Sequence, residues 1–321
     1  LIGQLKQKIL TGKQLTKEEA LALANTNGDK LMNLLKAANQ IKNEFNGPQV
    51  NLCSIVNAKS GSCTEDCQFC AQSSHYDTKV DTYPLLEKET ILTKAKQMEA
   101  KGAHHFGLVT SGQQILSDQE FNQLLAAIEK INKETKLNVC ASLGTLNHKQ
   151  ASALAEAGLT RYNHNLETSQ RYFPQICTTH SYKERKKTVE QLKKQDIEVC
   201  CGGIIGLGEE FKDRIELAFT LKKMDVDSVP LNILTPIEGT PLEDNQPLPP
   251  LEILKTAAIF RFILPEKTIK LCGGRENNLR SLQSLALLAG VNGLLIGNYL
   301  TTNGRKIEDD LQMIKDLNLS S

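Results

Sequence analysis

From Val50 onward, short β-like runs alternate with helix-period runs eight times, and no other feature of this 321-residue chain limits its fold as tightly. VNLCSIVN precedes EKETILTKAKQMEAKG, HHFGLVT precedes DQEFNQLLAAIEKINKE, and LNVCASL precedes KQASALAEAG. LTRYNHNLE precedes SYKERKKTVEQLKKQ, IEVCCGGIIG precedes FKDRIELAFTLKKM, and DSVPLNIL precedes PLEILKTAAIFRFIL. TIKLCGG precedes NLRSLQSLALLAG, and NGLLIGN leads into IEDDLQMIKDLN. Parallel strands need long crossovers, usually helices. Eight such units predict an α/β fold of the (β/α)8 TIM type, which typically takes ~250 residues. A doubly wound open sheet is the competing architecture, but no G-x-G-x-x-G follows the first strand. Residues 1–47 read as a helical N-terminal extension ending at Gly47-Pro48, and residues 48–321 as the barrel.

With 40% hydrophobic residues the chain can bury a large core. Lys plus Arg number 38 against 37 Asp plus Glu, and no basic block stands out, so no nucleic-acid partner is expected. The opening residues are amphipathic and polar and lack the apolar region of a signal peptide. No run approaches the ~20 apolar residues of a bilayer span. The expectation is a soluble cytoplasmic protein with no membrane partner. In a reducing compartment, its nine cysteines point to metal binding or catalysis before disulfides.

Three of them lie in SGSCTEDCQFCAQSSHY, where Cys63, Cys67 and Cys70 form C-x3-C-x2-C. Three thiolates on one loop hold three irons of a cubane and leave the fourth iron open to substrate, unlike four-cysteine electron-transfer clusters. Zinc is the competing occupant. A closed zinc site wants four ligands, and His75 would complete the set, at a spacing unusual for zinc.

With Phe69 just before its last cysteine, the motif resembles the radical S-adenosylmethionine enzymes. From about residue 12 onward the chain is similar to the biotin synthase family. The matching stretches are NAKSGSCTEDCQFCAQSSHY, ASLGTLN, AGLTRYNHNLETS, ICTTHSYKERKKT, VCCGGIIGLGE, DSVPLNIL and EGTPLEDN, with YNHNLETS the most discriminating. The resemblance implies sulfur insertion into dethiobiotin. A 5′-deoxyadenosyl radical would come from S-adenosylmethionine at a 4Fe–4S cluster on Cys63, Cys67 and Cys70. The sulfur would come from an auxiliary cluster inside the barrel. It further implies a homodimer and a flavodoxin or ferredoxin electron donor. Other enzyme readings are a hydrogenase-cluster maturase or a methylornithine-forming mutase. A non-catalytic iron–sulfur carrier or redox sensor is the reading outside enzymes.

The resemblance also implies residue roles. Asn165 and Asn232 match asparagines that bind the ureido ring, which an amide's donor and acceptor suit. Glu167 stands where the family usually has Asp, beside the adenosyl ribose. Arg185 matches an arginine near the methionyl carboxylate. Thr110, Ser111 and Gly112 fall where backbone meets the methionyl amino group. For the auxiliary cluster, the family's usual ligands are three cysteines and an arginine. Two of those cysteines match Cys140 and Cys200, but the third aligns with Gly107 and the arginine with Lys270. Cys272, two residues beyond Lys270, shares its strand face. Cys201 could turn inward at a bulge at Gly202-Gly203. The expectation is a four-iron auxiliary cluster on Cys140, Cys200, Cys201 and Cys272, an extra sulfide on it being the donated atom, with Lys270 as a neighbouring cation. Cys53 and Cys177 read as small buried apolar residues, and His164 is assigned no role.

Overall fold

The computed structural model describes residues 1–115 and 117–321. Three helices come first: α1 (Ile2–Leu10), α2 (Lys17–Ala24) and α3 (Asp29–Asn46). Thr16 and Glu19 close a capping box at the start of α2, satisfying two backbone donors reciprocally. Then follow β1 (Asn51–Lys59), α4 (Lys88–Ala100), β2 (His105–Thr110), α5 (Asp118–Glu134), β3 (Asn138–Ser142), α6 (His148–Glu156), β4 (Arg161–Asn163) and α7 (Tyr182–Leu192). The second half holds β5 (Glu198–Cys200), β6 (Gly203–Ile205), α8 (Phe211–Lys223), β7 (Ser228–Ile233), α9 (Pro250–Ile263), β8 (Thr268–Leu271), α10 (Arg275–Leu279), α11 (Gln283–Leu287), β9 (Gly293–Leu295) and α12 (Ile307–Asp316). The run NLRSLQSLALLAG, expected as one helix, is interrupted at Arg280, whose φ of 52° is incompatible with helix continuation. Helix α3 packs on α9, and α2 on α8 and α9, so the N-terminal helices cover one flank of the outer ring. Among the described residues, no helix is long and apolar enough to cross a membrane.

All strand pairings are parallel, in the order β5-β4-β3-β2-β1-β9-β8-β7-β6, and the ring closes where β5 also meets β7. Strands β5 and β6 are two halves of one stave, so the barrel has eight. Between them the Gly202 N–H leaves the ladder and donates to Asn165 Oδ1 at 3.1 Å. Both glycines here are forced by close approach. A Cβ on Gly202 would lie 2.0 Å from the Pro230 carbonyl oxygen, and one on Gly203 2.2 Å from that of Glu167.

The register fixes which side chains share an interior layer. Crossing two strands from Cys53 leads through His105 to Asn138, two residues before Cys140. From Cys140 the same walk passes Arg161 to Glu198, two before Cys200. From Cys200 it passes Ser228 to Thr268, two before Lys270, and from Lys270 it passes Gly293 to Asn51, two before Cys53. The circuit closes with the shear of about eight residues that such barrels require. Each layer takes one side chain from every other strand. Cys53, Cys140, Cys200 and Lys270 therefore form one layer, and Cys272 stands on the same face one layer nearer the strands' C-terminal ends.

Candidate functional site

The loop after β1 doubles back on itself. The Cys63 N–H donates to Gln72 O at 3.0 Å, the Ser74 N–H to Cys63 O at 2.7 Å, and the Cys70 N–H to Cys67 O at 2.9 Å. All three thiols are unpaired by disulfide. Burial raises the Cys63 thiol and pushes Cys70 up to about 11. Cys67 is raised first by its hydrogen bond to Cys177 and then by burial. Left bare, these thiols stay protonated at neutral pH; bound metal ions would hold them as thiolates. His75 does not join them: it is exposed, with Nε2 at 2.9 Å from Thr64 O. The zinc reading thus loses its fourth ligand.

Phe69, Cys70 and Gln72 of this loop line one end of a cavity of about 380 Å³ that runs down the barrel. Asn165, Glu167 and Asn232 line its wall. Asn165 Oδ1 bridges the break in strand five, while Asn232 accepts from the Gly273 N–H at 3.1 Å and donates to Gly203 O at 3.4 Å. Each asparagine side chain is thus pinned to a neighbouring strand's backbone. Glu167 sits at a positive φ of 66°. Its Oε1 accepts from Arg185 Nη2 at 3.1 Å, while the buried Oε2 has no partner among the described residues. Burial raises its carboxyl pKa, opposed by Arg185. Arg185 itself does not line the cavity. Its guanidinium also donates to Asn165 O at 2.5 Å and meets His180 Nε2 at 3.0 Å, so it braces Glu167 from behind. At the end of β2, Ser111 Oγ donates to Gly61 O at 2.7 Å, and the buried Thr110 Oγ1 has no partner among the described residues.

The cavity floor is lined by Cys53, Cys140, Cys200 and Cys272, together with Lys270, Arg161 and His105. Cys201 is not there. Strand alternation survives the break between β5 and β6: Cys200 faces in, and Cys201, fully buried, faces out into the apolar core between strands and helices. The expectation that Cys201 turns inward is corrected on this point. Cys53 is buried, as expected, and it packs with Cys272 and Leu295 in a small interior cluster separate from the main core. Burial pushes Cys140 up to about 12 and raises Cys272 strongly. Lys270 Nζ lies 3.4 Å from Cys53 Sγ. Burial pulls this ammonium's pKa down, but its neighbours Cys200 and Cys53 outweigh burial and raise it overall, so Lys270 stays protonated.

Arg161 and His105 were missed by sequence reasoning. Arg161 sits two and four residues before Asn163 and Asn165, which also line the cavity, and strand alternation would have placed it inside. Its Nε and Nη2 bind Glu198 Oε2 at 2.8 and 2.5 Å, but Nη1 is buried without a partner among the described residues. An unpartnered guanidinium edge, a buried ammonium and four convergent thiols fit a dianionic iron–sulfur cluster. Cys177 is buried in the core, as expected, and stands beside Cys67 with 3.8 Å between the sulfurs. His164 is buried, its Nε2 has no partner among the described residues, and burial pulls its pKa far down.

The radical SAM superfamily model matches residues 59–221, and the Biotin and Thiamin Synthesis associated domain model matches residues 230–320. The chain is 55% identical to a biotin synthase of Pelotomaculum thermopropionicum, over 100% of this chain and 99% of that protein. It is 54% identical to a biotin synthase of Carboxydothermus hydrogenoformans, over 99% and 98% respectively. Among solved structures, methylornithine synthase superposes with a TM-score of 0.86 at 21% identity, covering 98% of this chain and 96% of that one. An FeFe-hydrogenase maturase from Carboxydothermus hydrogenoformans gives 0.83 at 19%, covering 99% and 78%. At those identities the two structures bear on the fold alone, and it is the likeness along the whole sequence that decides: the chain belongs to the biotin synthase family of radical S-adenosylmethionine enzymes, which work with a 4Fe–4S cluster, S-adenosylmethionine and an auxiliary iron–sulfur cluster.

Proposed function

We propose that this chain converts dethiobiotin to biotin by inserting sulfur between two saturated carbons. One observation carries the reading. A single cavity has Phe69 and Cys70 at one end, four thiols at the other, and Asn165 and Asn232 in the wall between. When loaded, the two clusters and S-adenosylmethionine supply a carbon-centred radical and a sulfur atom. The chain's own work is to hold, orient and keep dry.

Cys63, Cys67 and Cys70 would ligate the radical cluster. Glu167 Oε2, buried and without a partner, would accept from the ribose of S-adenosylmethionine, with Arg185 setting its position. Thr110 and Ser111 would meet the methionyl end, Thr110 with its unpartnered hydroxyl. Asn165 and Asn232 would receive the ureido group of dethiobiotin. The register supports Cys53, Cys140, Cys200 and Cys272 as the auxiliary ligands: three thiols in one layer and a fourth one layer above. Four thiolates suit a four-iron core, and Lys270 and Arg161 offset its charge. Protonated Lys270 has no lone pair and is a neighbour, not a ligand. A homodimer in the cytoplasm, reduced by a flavodoxin or ferredoxin, completes the proposal.

Anaerobic reconstitution with iron and sulfide counting, Mössbauer spectroscopy and a dethiobiotin assay test it together. Biotin and 5′-deoxyadenosine should both form, and two four-iron signals should appear. Cleavage of S-adenosylmethionine without biotin would reject the substrate. A 2Fe–2S signal beside the radical cluster would reject the four-thiol site.

A further inference from the structure

Cys177 is neither a cluster ligand nor a cavity residue, yet it is held against a radical-cluster cysteine by contacts that need no iron. On one side of Cys67, the Gln68 N–H donates to the carbonyl of Ile176 at 2.9 Å. On the other side, the Asp66 carboxylate accepts from the Thr178 N–H at 2.8 Å, the Thr179 N–H at 3.1 Å and the Thr178 hydroxyl. The residues flanking Cys67 are therefore bound to the residues flanking Cys177. Two loops far apart in sequence are pinned in register, with the thiols face to face.

Proximity favours this pairing over others. The sulfurs of Cys67 and Cys177 and a ring nitrogen of His180 lie within 4.8 Å of one another; among the described residues the three loop thiols are not gathered so closely. The Cys67–Cys177 separation is 3.8 Å. A disulfide needs about 2.0 Å, a change small enough for side-chain rotation. Cys177 is 4% exposed, so attack by an outside thiol there is hindered. Cys67 is half-buried and open to small oxidants.

We propose that when iron leaves the Cys63–Cys67–Cys70 loop, Cys67 and Cys177 join as a disulfide that stores Cys67 in a reversibly oxidised form. The proposal rests on reading Cys67 as a cluster ligand only for its consequence; the pairing itself depends on the two loops. With hydrogen peroxide as oxidant, one thiol attacks an oxygen, the O–O bond breaks, and a sulfenic acid and water form. The second thiol displaces that hydroxyl, the S–S bond forms, and a second water leaves. Two thiols are oxidised by two electrons in all, and one peroxide is reduced to two waters. A dithiol reverses the step by exchange. Without Cys177, the sulfenic acid at Cys67 is exposed to further peroxide and goes on to the irreversible sulfinic state.

The test starts from reconstituted enzyme stripped of iron by anaerobic chelation. It is treated with stoichiometric peroxide, alkylated and mapped by mass spectrometry. Cleavage after Glu65 and after Phe69 separates Cys67 from Cys63 and Cys70. The expected product joins the fragment DCQF to FPQICTTHSY, the fragment that the same cleavage after aromatic residues releases around Cys177, with the loss of two hydrogens. Dithiothreitol followed by iron and sulfide should then restore the cluster absorbance in wild type. In Cys177→Ser, Cys67 sulfinic acid should rise severalfold and the restored absorbance should fall. Linkage of Cys67 to Cys63 or Cys70 overturns the proposal, as does free Cys177 after peroxide. Both of these outcomes are read on wild-type protein, independently of how the variant folds and of whether dethiobiotin is the substrate.

Discussion

Lys270 and Cys53 come from strands β8 and β1 and meet at 3.4 Å inside the barrel, in the same layer of side chains. That contact identifies Cys53 as an interior thiol and sets an ammonium beside it. It also separates two cysteines that composition treats alike. Cys53→Ala should lose the auxiliary irons while keeping the radical cluster. Cys201→Ala should keep both clusters and cost about 1 kcal/mol of stability from lost burial. Iron and sulfide counts with Mössbauer spectra on the two variants check this. Loss of auxiliary iron in Cys201→Ala alone would reverse the assignment.

On the proposed reading, Gly107 stands where the family's usual pattern would place a thiol. It pairs with Ile55 and with Cys140, and an added Cβ would lie 3.2 Å from Ile55 Cγ2 and 3.8 Å from Cys140 Cβ. Gly107→Cys therefore needs Ile55 to give by a few tenths of an ångström. Overpacking costs about 1–3 kcal/mol, and the loss of glycine's unfolded freedom offsets about 0.4–1 kcal/mol. A net loss of roughly 0–2.5 kcal/mol is expected in urea unfolding. The auxiliary Mössbauer signal should stay that of a four-iron core, since four thiols remain. Conversion to a 2Fe–2S signal would show that the missing thiol at 107 decides the cluster type.

The barrel was legible because eight strand–helix units repeat, and their hydrophobic periods are local. The radical loop was legible because its three cysteines are close in sequence. The floor was legible only in part: Cys140, Cys200 and Cys272 could be named, but its thiols come from four strands and only the register brings Cys53 among them. Counting cysteines suggested four thiols but named Cys201, whose neighbour Cys200 already held the inward position. The layer rule, applied from Cys140 and Cys200 on strands three and five, points to strand one, where Cys53 is the cysteine. Arg161 stayed hidden for a different reason. A lone arginine in a strand looks like an edge charge until its stave is known to close a barrel.

Glu167 makes a sharp test of the S-adenosylmethionine wall. Its backbone is locked, with φ at 66° and its carbonyl accepting from the Ile204 N–H at 2.7 Å. A shorter carboxylate cannot be compensated by moving the chain. Glu167→Asp should fit the backbone, since Asp tolerates positive φ, but should lose the 3.1 Å contact with Arg185. Glu167→Gln keeps the length and loses the charge. Hydrogen bonds to charged groups are worth about 1.5–3 kcal/mol, so each variant should weaken S-adenosylmethionine binding roughly ten- to a hundredfold. Equilibrium binding to the reconstituted enzyme measures this, and unchanged affinity in both would remove Glu167 from the site.

His105 ties the cavity floor to pH. It is buried beside Cys140, with Nδ1 at 3.9 Å from Sγ. Burial, reinforced by the charges of Arg161, Lys270 and His104, lowers its pKa from 6.5 to about 3. The unfolded chain therefore takes up a proton near pH 6.5 that the fold refuses until about pH 3. Stability from this group is complete above the unfolded pKa and falls as pH drops through that window, by up to roughly 1.4 kcal/mol per pH unit. Urea unfolding of the cluster-free chain at several pH values between these limits should show that slope among others. His105→Gln should reduce the slope by close to one proton, whatever it does to absolute stability. Equal slopes would mean that His105 takes up its proton in the fold at the same pH as in the unfolded chain. Below that pH the floor would then carry a third positive charge beside Lys270 and Arg161, more than a dianionic cluster needs, and the match between that cluster and its cations would have to be redrawn.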